Sequence, residues 1–288
     1  MDAMKFINHS KEIQIDTEGM RSHQKHHRGY ELIDLYMERY YKVPENDEDY
    51  VYVSQLVQAR GMRMGIEAHR RAKPYNMGTL YWQLNDCWPG ISWSSIDHFG
   101  NWKALHYEAK KAFENVLVSF EHKGDHVGIY IVNDLLNDID KTLKVRLLDF
   151  QGNELWNSSK AISVPSNSSM LVESFSIDRM EEIQWNQVML EAHYGDHSST
   201  YFFVKPKSLA LENGGLDIEI QKVAEGFSIE LKSQVFQKNV MLMASAKGHF
   251  SDNYFDLKPN ETKTVLFKTK ASSIEELTYK SINQLQTE

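Results

Sequence analysis

The chain has 288 residues, 41% hydrophobic and 25% charged, with a formal net charge of −8. That length suits two domains or three small ones, and the acidic balance excludes nonspecific nucleic-acid binding, which needs a basic surface. No apolar run approaches the roughly 20 residues of a membrane span, Met1–Phe6 lacks the apolar stretch of a secretory leader, and the single Cys87 excludes an internal disulfide.

In chain order, Tyr30, Ile33, Leu35, Met37 and Tyr40 predict an amphipathic helix from about Gly29 that ends before Pro44. A second helix begins at Asp47–Glu48, with Tyr50, Val53, Leu56, Val57, Arg60, Met64 and Ala68 at three- and four-residue spacing. Tyr75–Leu84 reads as a short buried strand, with Leu80, Trp82 and Leu84 on one side and Tyr81 and Gln83 on the other. Trp102–Phe113 reads as a further helix. Helix, strand and helix at this spacing suit βα units of a parallel sheet or barrel.

Near residue 115 the period switches to two. Strands are predicted at Leu117–Glu121, Val127–Asn133, Leu143–Phe150, Leu155–Ile162, Met170–Ile177, Gln187–Tyr194 and Thr200–Val204. With no cysteine pair, they suggest an immunoglobulin-like sandwich without the disulfide. Lys205-Pro206-Lys207 is a linker. Strands at Leu216–Gln221, Phe227–Leu231, Val240–Ala244, Tyr254–Leu257 and Thr264–Thr269 form a second, smaller sandwich, and Lys280–Glu288 reads as a frayed tail. The expected domains are 1–115, 116–206 and 207–288.

Residues 78–107 carry the chemistry. They hold four of the six tryptophans, interleaved with Gln83, Asn85, Asp86, Ser92, Ser94 and Asp97. Aromatic faces stack on the apolar face of a pyranose, and amides and carboxylates take its hydroxyls, so the pattern points to a sugar site. Glu67 and Asp86 are the local carboxylate candidates for chemistry. Glu67 is read as an ion pair with Arg70 or Arg71 at helical spacing. Asp86, at the C-terminal end of the expected strand, is read as structural or hydrogen-bonding rather than nucleophilic. Trp102 is read as packing, Trp156 and Trp185 as core residues, and His23, His26 and His27 as too short a cluster for a metal site. No metal and no cofactor are expected. The three Asn-x-Ser/Thr tripeptides at Asn157, Asn167 and Asn260 carry no functional weight.

The run Gly78-Thr79-Leu80-Tyr81-Trp82-Gln83-Leu84-Asn85-Asp86-Cys87-Trp88-Pro89, then Ser92-Trp93-Ser94-Ser95-Ile96-Asp97 and Gly100-Asn101-Trp102-Lys103-Ala104-Leu105-His106-Tyr107, resembles the last strand and loop of the catalytic barrel of glycoside hydrolase family 2 β-mannosidases. His23-Gln24-Lys25 and Gly65–Arg71 match in the same order. The resemblance implies the final units of a (β/α)8 TIM barrel followed by two immunoglobulin-like sandwiches, as the C-terminal fragment of a retaining exo-β-mannosidase. It implies Trp82 as the floor of the mannosyl subsite, with Asn85, Asp86, Trp88, Trp93 and His23 as further substrate-binding candidates. It places both catalytic glutamates upstream of residue 1, so the isolated chain is expected to be inactive. The implied partners are β-mannosides or manno-oligosaccharides, with no nucleic acid and no membrane, and self-association is expected through the exposed barrel remnant. The compartment is left open between periplasm and cytoplasm. The rival reading is a noncatalytic carbohydrate-binding or domain-docking module.

Overall fold

The computed structural model describes residues 1–179 and 182–285, which divide into two compact units. One comprises Met1–Arg60, Tyr81–Tyr107 and Leu211–Glu288; the other comprises Gly61–Leu80 and Glu108–Ala210. The helices are α1 (Asp2–Asn8), α2 (Glu18–Ser22), α3 (Gly29–Tyr40), α4 (Asp47–Arg71), α5 (Ala104–Ala112) and the C-terminal α6 (Ile282–Leu285). The sequence places α3 and α4 correctly because their ends are chemically marked. Tyr41 is already extended ahead of Pro44. In α4, the Asn46 side chain accepts from the Asp49 N–H at 2.9 Å, acidic residues fill the first turn, and His69, Arg70 and Arg71 fill the last.

The second unit is built on seven antiparallel strands: β1 (Val116–Lys123), β2 (His126–Asn133), β3 (Ile139–Asp149), β4 (Glu154–Val164), β5 (Ser168–Ser176), β6 (Val188–Tyr194) and β7 (His197–Phe202). They form two sheets, ordered β1-β2-β5 and β4-β3-β6-β7. Alternation decides which side faces in: Val127, Ile129 and Ile131 from one sheet meet Leu143, Val145, Leu147 and Leu190 from the other in one core. Trp156 packs edge-on against Phe175, and Trp185 lies 4.4 Å from Phe203, ring centre to ring centre. Both indoles therefore belong to the core, as read. Leu147→Ala is expected to destabilise this sandwich by about 2–5 kcal/mol, the range for deleting a fully buried leucine, measurable by urea denaturation.

The first unit contains a smaller sandwich, with sheets ordered β11-β13-β9-β8 and β12-β10-β14. Its strands are β8 (Asp217–Val223), β9 (Gly226–Lys232), β10 (Gln237–Ala244), β11 (His249–Phe250), β12 (Phe255–Leu257), β13 (Lys263–Lys268) and β14 (Leu277–Lys280). Phe227, Ile229, Leu231, Leu242, Val265 and Phe267 form its core. Gly226 has φ +141, and a Cβ there would fall 2.1 Å from the Phe267 carbonyl oxygen, so only glycine fits. Within the same unit, the Tyr52 hydroxyl donates to the Asn239 carbonyl at 2.6 Å and Lys280 pairs with Asp49, joining this sandwich to α4.

Two expectations need correction. The tail is not frayed as far as it is described: Lys280 closes β14, α6 follows, and residues 286–288 lie outside the described residues. Asn283 is fully buried. Its Oδ1 accepts from Lys238 N–H at 2.9 Å, and its Nδ2 donates to the Phe236 and Glu212 carbonyls at 2.7 and 2.8 Å. Asn283→Ala orphans these buried backbone groups and is expected to cost about 1–3 kcal/mol, visible as a lower denaturation midpoint at unchanged slope.

The buried strand expected at Tyr75–Leu84 does not form either. The segment carries no ladder and bends at Trp82 and Leu84, and Leu80, Trp82 and Leu84 are 99%, 71% and 54% exposed. A parallel strand exists only by pairing with neighbours. Among the described residues, only isolated bridges at Gln24–Ile91, Asn85–Ile96 and Ile96–Trp102 lie outside the named strands. The alternation itself survives, since Tyr81 and Gln83 are half-buried while the Leu80, Trp82 and Leu84 side lies open. Also among the described residues, no helix is long and apolar enough to cross a membrane.

Candidate functional site

The Tyr81–Tyr107 segment folds back on itself through its backbone. Ser95 N–H donates to Gln83 O at 3.0 Å, Ile96 N–H to Leu84 O at 2.9 Å and Asp86 N–H to Ile96 O at 3.1 Å. The segment then reverses around Asp97, whose Oδ1 accepts from the backbone N–H of Phe99 and Asn101 at 2.9 and 2.8 Å. Lys103 N–H donates back to Ser95 O at 2.9 Å before α5 begins. Two consecutive buried serines staple the fold. Ser95 Oγ donates to Leu84 O at 2.9 Å and sits 3.0 Å from both the Tyr81 hydroxyl and His106 Nδ1. Because the Ser95 proton goes to a carbonyl, the Tyr81 hydroxyl and an Nδ1-protonated His106 supply the other two bonds.

Ser94 points the other way, to Asp86. This carboxylate is buried, with Lys25 Nζ donating to Oδ1 at 2.7 Å and Ser92 and Ser94 donating to Oδ2. Lys103 Nζ stands 3.6 Å from Oδ2 and donates to Ser94 Oγ at 2.7 Å. Burial alone would raise the Asp86 pKa. The bonds from Lys25, Ser92 and Ser94, with the charge of Lys103, outweigh it and hold the carboxyl below its ordinary value. Burial pushes the Lys103 ammonium down, opposed by Asp86 and Asp97.

Around this junction, the backbone of residues 23–25 joins residue 91: Lys25 N–H donates to Ile91 O at 3.0 Å and Ile91 N–H to His23 O at 3.2 Å. Gly90 permits the approach, since a Cβ there would lie 2.7 Å from His23 O. His23 stacks on Trp88 with centroids 4.4 Å apart and planes at 22°, and its Nδ1 is 2.8 Å from Pro89 O, so that nitrogen carries the proton. Trp82, joined to Gln83 by a cis peptide bond, Asn85 and Trp88 are all exposed.

The comparisons with known proteins meet this geometry. Residues 125–208 match the Mannosidase Ig/CBM-like domain, and residues 211–284 match the Ig-fold domain of mannosidases. The β-mannosidase A of Emericella nidulans is 26% identical over 285 residues, and the β-mannosidase of Capra hircus 31% over 259 residues. These alignments cover 87% and 80% of this chain but 30% and 29% of those proteins. The solved β-D-mannosidase of Dictyoglomus thermophilum superposes with a TM-score of 0.82 at 25% identity, over 92% of this chain and 34% of its own.

The chain belongs to the β-mannosidase family.

The chain thus spans about 30% of the length of the curated β-mannosidases it matches. An exo-chitosanase of Amycolatopsis orientalis, at 18% identity and a TM-score of 0.66, shares the fold alone.

Within this chain the candidate residues fall into two neighbouring groups. His23, Trp88 and the Asp86 junction are joined by the contacts above, and Gln83 ties the segment carrying Trp82 to them through Asn85 O at 2.9 Å. Gln58 Nε2 donates to the Trp93 carbonyl at 2.8 Å, and Trp93 lines a cavity of about 1390 Å³ with Tyr36, Trp102, His249 and Tyr254, a cavity that Ser92 and Lys103 of the junction also line. Asp86 is buried and Trp82 is not, the reverse of a strand with Trp82 packed inside it. Sequence reasoning missed Lys25, Lys103 and Ser92 as partners of the carboxylate, although Lys25 and Lys103 stand in the quoted family runs.

In the other unit, Glu67 is an ion-pair residue, with a correction to its partners. Arg63 donates to it at 2.6 Å and Arg71 stands 3.9 Å away, whereas Arg70 binds Asp134 at 2.9 Å and the Ala112 carbonyl. Ser119 Oγ takes the remaining Glu67 oxygen at 2.7 Å.

Proposed function

We propose that this chain supplies part of the mannosyl-binding wall of a retaining exo-β-mannosidase, an enzyme that removes terminal β-linked mannose from non-reducing ends. The observation that carries this reading is the exposed indole of Trp82, tied through Gln83 and Asp86 to the Trp88–His23 stack. An open aromatic face on a rigid polar base suits a pyranose ring, and the β-mannosidase relatives supply the sugar. In this reading α3, α4 and α5 are the outer helices of the last βα units of a TIM barrel spanning residues 1–115, with sandwiches at 116–206 and 207–288.

A retaining glycosidase needs two carboxyl groups about 5–5.5 Å apart. The loop's own carboxylates, Asp86 and Asp97, are both committed to holding it together. The resemblance to family 2 β-mannosidases assigns the nucleophile and the acid/base to two glutamates outside these residues, and in this reading the chain alone turns over no mannoside. The binding-module rival is weakened because Trp156 and Trp185 pack on the sandwich core.

Tryptophan fluorescence titrated with methyl β-D-mannopyranoside tests the reading. Saturable quenching stronger than with the β-glucoside is expected; a flat response to both would sink it. The exposed Leu80 and Leu84 flanking Trp82 also favour self-association, expected as a concentration-dependent dimer in light scattering. A monomer at all concentrations would remove that part.

A further inference from the structure

We infer that Asp86 is a positioning residue rather than a sugar ligand: it holds in place the backbone that presents Trp82, Asn85 and Trp88, with Lys103 as a second brace from the start of α5. This rests on the proposed function and deepens it.

The first support is a count of lone pairs. A carboxylate offers about four acceptor sites on its two oxygens. On Asp86, Oδ1 accepts from Lys25 Nζ at 2.7 Å and Gln83 Nε2 at 3.4 Å, and Oδ2 accepts from Ser92 and Ser94. The side chain is 1% exposed. Nothing is left over for a sugar hydroxyl.

The second support is what these donors belong to. Lys25 lies two residues after His23, whose ring carries Trp88. Gln83 follows Trp82 directly and also holds the Asn85 carbonyl. Ser92 and Ser94 lie on the returning segment, and Lys103 reaches Ser94 from the turn before α5. One carboxylate thus couples the segments that carry the exposed indoles, and its charge is what orients two lysines that approach from different directions. Loss of that charge leaves Lys25 and Lys103 facing each other across the junction, so the Trp82 and Trp88 segments lose their common anchor.

The test uses the full chain with 5-fluorotryptophan at its six tryptophans, each ¹⁹F line assigned by a single Trp→Phe change. Asp86→Asn is compared with wild type, and Ser94→Ala serves as a milder variant should Asp86→Asn fail to fold. In ligand-free protein, the Trp82 and Trp88 lines are expected to shift and broaden in both variants while Trp156 and Trp185 stay in place. Affinity for methyl β-D-mannopyranoside is expected to fall about tenfold in Asp86→Asn and less in Ser94→Ala. Lower affinity with unmoved Trp82 and Trp88 lines would make Asp86 a direct ligand and overturn the inference, as would variants that leave both lines and affinity unchanged. If wild type itself ignores the sugar, the proposed function fails, and the ligand-free lines still decide the positioning role.

Discussion

Asp86→Ala is expected to destabilise the first unit by about 3–5 kcal/mol, the cost of removing one partner from a buried ion pair. The reason lies in what remains. Lys25 and Lys103 have half-buried to buried stems and keep their ammonium groups near the vacated position, while Ser92 and Ser94 lose their acceptor. Asp86→Asn keeps the shape but removes the charge, so its loss is expected to be smaller in the same direction. The sign with pH follows. The folded carboxyl binds its proton less readily than an unfolded aspartate, whose pKa is about 3.9. Its contribution is therefore complete above about pH 4 and disappears as pH falls through the lower folded value. Urea melts between pH 6 and pH 3 are expected to show wild type losing its advantage over Asp86→Asn only at the acid end. An advantage that fades on the alkaline side instead would contradict the assignment.

Trp82→Ala is expected to do the opposite: little to stability and much to sugar recognition. The indole is 71% exposed, and such surface substitutions change stability by about 0.5 kcal/mol or less. If Trp82 is the platform for the pyranose, its removal is expected to weaken mannoside binding at least about tenfold, or 1.4 kcal/mol. Trp102→Ala makes a useful contrast. That ring packs against His106 at 4.4 Å and Tyr107 at 5.3 Å, so its loss should appear in thermal unfolding before it appears in binding.

Where the chain makes its own partners, its fold was legible from its residues. Alternation in Val127, Ile129 and Ile131 and in Leu143, Val145 and Leu147 needs only the facing sheet of the same sandwich, and all seven strands of that sandwich fall where the pattern puts them. Helix α4 is marked by Asn46 at its start and by basic residues at its end. Two short elements escaped, β11 of two residues and β14 of four, whereas the three residues of β12 fall within the strand read at Tyr254–Leu257. The Tyr75–Leu84 segment shows a deeper limit. Its side-chain alternation was read correctly, but a strand also needs a neighbour, and no pattern within ten residues says whether one is there. The Asp86 junction was hidden for a related reason. Asp86 and Lys25 stand 61 positions apart, and their meeting depends on the backbone pairing of residues 23–25 with residue 91, on Gly90 allowing the approach, and on Ser94 turning inward where Ser95 turns away.

The claim at the centre of this account is that the chain carries a sugar-facing wall whose own carboxylates are structural. Incubating the stringently purified chain with an aryl β-D-mannoside and following phenolate release tests it most directly. No release above buffer is expected, in wild type and in Asp86→Asn alike. Turnover that co-purifies with the chain and is abolished by Asp86→Asn would contradict it, because Asp86 would then be doing chemistry rather than holding the loop.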